Sequence, residues 1–124
     1  MRKILYSPGY GAGWSTWNAH TKEQITFLTE YPPLIEYVEK SGGDLANRRS
    51  TWFDDEEERI KAIPAIQQIM KEWKEKFPDE PELYLGGIKG LSIRKIPSGV
   101  RYFIEEYDGS ENVVIEKDIE DRWL

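Results

Sequence analysis

Cysteine is absent from the 124 residues, which removes disulfides, thiolate metal sites and a cysteine nucleophile together. Histidine occurs once, at His20, without a neighbouring Ser or Asp partner, and neither Ser7 nor Ser15 sits in a strained nucleophile elbow. The carboxylates at 54–58 are consecutive rather than interleaved with turns, so they read as a helix start and not as a cation site. No catalytic set, metal site or cofactor fingerprint is expected. No apolar run approaches a membrane span, and the opening MRKILYSP lacks the apolar stretch of a secretory signal, so a soluble, cytoplasmic protein is expected. Positive charge is also sparse: the net charge is −6, and no basic cluster exceeds Arg48-Arg49 or Arg94-Lys95. Such a surface repels phosphates overall and disfavours a duplex nucleic-acid partner. Neither a linker rich in Pro and Gly nor an internal repeat appears.

What remains is one domain over residues 1–124, with enough apolar surface for a single core. Five Trp and seven Tyr are many for that size, so some are expected at a cleft or interface. Residues 3–7 read as a strand closed by Pro8-Gly9. From Thr21 the period becomes helical, giving two short helices that meet at Pro32-Pro33, with Ser15, Asn18 or Thr21 as the cap and Glu23 and Gln24 placed to reach back. A second helical block over 54–77 opens on acids, ends on lysines and is interrupted by Pro64, which either starts a new helix or kinks a longer one. Beyond Pro81 the strand period returns at 83–85, 91–96, 100–107 and 112–116, with Ser98-Gly99 and Asp108-Gly109 at turns. The expectation is an α+β fold: an N-terminal strand, a helical block and a C-terminal antiparallel meander, with helices on one face of a mixed sheet.

The stretch YSPGYGAGWSTWN, residues 6–18, concentrates the candidate chemistry. The amides of Gly9, Tyr10, Gly11, Ala12 and Gly13 can turn toward an anion. Trp14 and Trp17 offer stacking worth about 1–3 kcal/mol per base, and Ser15 and Asn18 add hydrogen bonds. The spacing is neither a Walker loop nor the full dinucleotide fingerprint, and the same residues also suit a plain strand-to-helix connection with anchoring indoles. Asp108, Ser110 and Glu111 in the second turn can serve hydroxyls or ring nitrogens if that turn lies over the loop; alone they form a hairpin tip. Arg48 and Arg49 suit bidentate phosphate contacts, or a solvated surface loop.

The YSPGYGAGWSTWN opening, the FP followed by YLGG and GLSI, and the late EYDGSE resemble a family of small proteins encoded by tailed bacteriophages. The resemblance spans most of the chain and implies a phage accessory protein in the bacterial cytoplasm, without supplying a reaction. Together these features lead us to expect a non-catalytic protein that binds and sequesters a small nucleotide-like molecule, as an immune-evasion factor would, and that forms a homo-oligomer to enclose it. The alternative is an acidic inhibitor that binds a host defence enzyme. A third possibility is a small nucleotide hydrolase or transferase in which His20, Glu105, Glu106 and Asp108 converge.

Overall fold

A computed structural model describes residues 1–41 and 60–116; Arg48, Arg49 and the acidic run at 54–58 lie outside the described residues. Strand β1 (Arg2–Tyr6) is followed by helices α1 (Ser15–Asn18), α2 (Lys22–Thr29), α3 (Pro32–Ser41) and α4 (Pro64–Lys76). A 3₁₀ turn over Gly86–Gly90 then leads to strands β2 (Ser92–Ile96), β3 (Tyr102–Tyr107) and β4 (Ser110–Ile115). This is the α+β class.

Local chemistry sets the helix ends. Thr21 and Gln24 form a reciprocal capping box at the start of α2, each side chain accepting from the other's backbone amide at 3.2 Å. Pro32 and Pro33 lack the amides that the carbonyls of Leu28 and Thr29 would use if α2 continued, so that helix stops and α3 begins there. Pro64 occupies the first turn of α4 behind an extended Ile63, so it starts a helix rather than kinking one. Lys74 and Lys76 lie at its negative end.

The expected single sheet is divided into two antiparallel ribbons, β1–β2 and β3–β4. Pro97 offers no ladder donor and Gly99 adopts φ +88, so the chain leaves the edge of β2 instead of folding back beside it. The carbonyl of Val100 goes to the Arg2 guanidinium at 2.9 Å. The stretch 83–85, expected as a strand, is unpaired. There the side-chain amide of Asn18 replaces a ladder partner, accepting from the Tyr84 amide at 2.8 Å and donating to the Tyr84 carbonyl at 3.0 Å.

Strand alternation makes the β1–β2 ribbon the middle layer of three. Leu5 and its cross-strand partner Ile93 face the helices, in a core with Trp14, Leu28, Leu34, Ile66, Ile69, Trp73, Ile88 and Leu91. Ile4 and Ile96 face the other way, onto Val113 of the hairpin, with Tyr102, Ile104 and Ile115 packed around them. Hydrogen bonds tie the ribbons together: the Arg94 guanidinium donates to the Val113 carbonyl, and just beyond β1 the Glu111 amide donates to the Ser7 carbonyl at 2.7 Å. The hairpin turns through Asp108 (φ +51) and Gly109 (φ +84), the two positive dihedrals of a type I′ turn.

Candidate functional site

The two motifs singled out in the sequence meet in space, and they meet by interlocking. The carboxylate of Glu111, only 2% exposed, reaches from the second residue of β4 to the ends of the glycine loop. Its Oε1 accepts from the Ser7 amide at 2.9 Å. Its Oε2 accepts from the amides of Trp14 and Thr16, each at 2.9 Å, and from the Thr16 hydroxyl at 2.5 Å. Four donors around one carboxylate make an anion-binding concavity whose anion belongs to the chain itself. Because Trp14, at the start of α1, supplies no side-chain cap, Glu111 performs that role from the far end of the sequence.

The hairpin tip closes the loop from outside. The Gly11 amide donates to the Asp108 carbonyl at 2.8 Å, and the Ser110 hydroxyl donates to the Pro8 carbonyl at 2.7 Å. A Cβ on Gly109 would stand 2.4 Å from the Ala12 nitrogen, and one on Gly87 would stand 2.2 Å from the Gly13 carbonyl oxygen. Glycine at 87 and 109 is therefore a steric requirement for three chain segments to touch.

These contacts correct the expected loop chemistry. Trp14 is fully buried, and its indole N–H donates to the Leu28 carbonyl at 2.9 Å, so it cannot stack on a ligand. Gly13 and Ser15 are buried with it, and Ala12 and Asn18 are half-buried. Gly9, Tyr10, Gly11 and Asp108 remain exposed, and Ser110 is half-buried. Trp17 is 42% exposed; it stacks on Tyr84 at 5.7 Å and donates to Glu106 at 2.9 Å. His20 faces Glu80 at 2.8 Å, while Glu105 and Glu106 point to opposite faces of β3.

A cleft of small-molecule size lies elsewhere. A half-open groove of about 530 Å³ runs between α2 and the segment from Gly99 to Phe103, with a smaller recess of about 220 Å³ adjoining it. Arg2 lies at its base, forked onto Glu30 at 3.1 and 2.7 Å, its guanidinium carbon 5.3 Å from the centre of the Tyr102 ring. The Tyr102 hydroxyl donates to Glu30 at 2.8 Å and lies 2.6 Å from the Thr29 hydroxyl. Lys22 and Arg101 line both cavities and pair with no carboxylate among the described residues. Phe103, 43% exposed, stands beside them, and Glu116 contributes one opposing charge at the smaller recess.

Burial, followed by the bond to Glu30, pushes the Tyr102 phenol up to about 12. The neutral form is thus favoured in the fold, and its contribution is complete below the unfolded value near 10 and is lost as pH rises from 10 toward 12. With screening at a partly open groove, about 1 kcal/mol of stability should disappear over that window. Urea midpoints measured across the alkaline range should fall more steeply for the native chain than for Tyr102→Phe; equal slopes would contradict the assignment.

Sequence reasoning passed over Thr16, Tyr84 and Gly87, the structural role of Glu111, and the groove residues Arg2, Lys22, Arg101 and Tyr102. One signal was available for Glu111. It shares the inward face of β4 with Val113 and Ile115, and a carboxylate in phase with buried residues implies a buried partner. Comparison of the chain with protein-family models, characterised proteins and solved structures finds no match. Among the described residues no helix is long and apolar enough to cross a membrane.

Proposed function

We propose that this domain is a non-catalytic binding protein that holds a small, planar, anionic molecule of the nucleotide type in the groove beside α2. One observation carries the reading: in a chain of net charge −6, Lys22 and Arg101 share a cleft of about 530 Å³ without carboxylate partners among the described residues. Cations that form no ion pair among the described residues and share a concave site suit a phosphate, and guanidinium suits it bidentately. The exposed ring of Phe103 supplies the flat apolar surface that a base would cover. The glycine loop takes no part, since Glu111 already occupies the amides of Ser7, Trp14 and Thr16 beside it and the Gly11 amide is bonded to the Asp108 carbonyl. The resemblance to phage accessory proteins adds the biological sense: sequestration of a host signal nucleotide in the bacterial cytoplasm. A second copy closing the open side of the groove would slow release.

Isothermal titration with AMP, cyclic mono- and dinucleotides and ADP-ribose tests the reading. At least one should bind saturably and raise the melting temperature. Arg101→Glu, at an exposed position, should weaken that ligand by roughly 2 kcal/mol through loss of a charge-assisted bond and added repulsion, while Trp17→Ala should leave it unchanged. Binding by none of these nucleotides, or equal binding by Arg101→Glu, would overturn the proposal.

A further inference from the structure

Exposed aromatic surface gathers at the end of the fold where the glycine loop is locked. Tyr10 is 76% exposed, Tyr107 79%, Tyr84 48% and Trp17 42%. They lie on three segments, 7–18, 81–88 and 103–112, that are pinned to one another through Asn18 and the Tyr84 backbone, through Gly11 and Asp108, and through Ser110 and Pro8. Segments cross-braced in this way need little backbone ordering when they are covered.

The charges of the same segments are of one sign. None of the three contains a lysine or an arginine, yet they carry Glu82, Glu105, Glu106 and Asp108, all exposed. Glu105 and Tyr107 share the outer face of β3, and Glu106 lies against Trp17. Exposed rings beside carboxylates that form no ion pair among the described residues match a guanidinium, which stacks on an aromatic face while its N–H groups pair with an acid. Phosphate-bearing surfaces, whether nucleic acid or anionic membrane, are repelled by the same charges.

We propose that this end of the molecule is a docking surface for a protein partner whose contact face presents arginines. The Trp17–Tyr84 stack forms its aromatic centre with Glu106 on one face of β3, Glu105 and Tyr107 lie on the other face, and Tyr10 and Asp108 stand at the braced tip between them, so the partner clasps the tip from both sides. Phe103 of the groove shares the outer face of β3 with Glu105 and Tyr107, so the two sites are neighbours on that face, while Lys22 and Arg101 belong to the groove alone.

The probe is a fluorescent peptide of alternating arginine and serine, titrated with the full-length chain and compared with a citrulline version of equal size. The arginine peptide should bind saturably and more weakly as salt is raised, and the citrulline peptide should not bind. Tyr10→Ala with Tyr107→Ala, at exposed positions that the fold does not use, should weaken binding about tenfold or more. Glu36→Gln with Glu39→Gln on α3, and Arg101→Glu in the groove, should leave it intact; retention in the groove variant separates this surface from the nucleotide reading. Absence of saturable binding, equal loss in the α3 variant, or full binding by the tyrosine variant would each overturn the proposal. Self-association abolished by the tyrosine substitutions would also overturn it, by assigning the surface to a second copy.

Discussion

Replacing Glu111 with alanine is expected to destabilise the domain by about 3–6 kcal/mol, because the amides of Ser7, Trp14 and Thr16 and one hydroxyl lose their acceptor together, at about 1–3 kcal/mol for each buried group that water does not reach. Against a total stability on the order of 10 kcal/mol for a domain of this size, that is a large fraction. Three of the four bonds converge on Oε2. Glutamine can keep an oxygen there, but its NH₂ group then opposes the Ser7 amide, so Glu111→Gln should cost about 1–3 kcal/mol. Urea denaturation at unchanged m-value measures both. A double-mutant cycle with Thr16→Ala should return a coupling of about 1–2 kcal/mol. Hydrogen exchange gives the spatial readout: the amides of Ser7, Trp14 and Thr16 should lose protection in Glu111→Ala before the helices do. A cost below 1 kcal/mol with no coupling would mean that the carboxylate is not holding the loop.

That lock also explains which parts of the molecule could be read from the chain. The Asp108-Gly109 turn, the Thr21–Gln24 box and the break at Pro32-Pro33 are legible because each is decided by residues within four positions of one another. The glycine loop reads as an anion site through the amides of residues 9–13, but the amides that gather around a carboxylate are those of Ser7, Trp14 and Thr16 on either side of it. Glu111 lies 104 residues from Ser7 and 95 from Thr16, and nothing local in residues 6–18 says that the anion is already supplied. The division of the sheet is set where the chain leaves β2 at Pro97 and Gly99 and is completed by packing of Ile4 and Ile96 onto Val113, which strand propensity does not report. The groove was the least legible feature. Arg2, Lys22 and Arg101 come from three separate parts of the chain and form no motif, and only the fold places them around one cavity.

Trp14 and Trp17, three residues apart, should respond in opposite ways to truncation. Trp14→Ala removes a fully buried ring, and such substitutions cost about 3–5 kcal/mol; for a chain of this length the melting temperature should drop on the order of 15 °C. The ring also has a task beyond filling space. Its N–H donates to the Leu28 carbonyl at 2.9 Å, the group that would bond to residue 32 if that residue were not proline. Trp14 therefore closes the end of α2 that Pro32 leaves open. Trp14→Phe, which keeps much of the apolar volume but not the donor, should still cost about 1–3 kcal/mol. Trp17→Ala gives up a stack on Tyr84 and a bond to exposed Glu106, together about 1 kcal/mol or less. Thermal melts followed by far-UV circular dichroism distinguish the three variants without relying on tryptophan emission. If Trp17→Ala proved as damaging as Trp14→Ala, the exposed stack would be part of the core's support, and the docking surface argued from it would lose its aromatic centre.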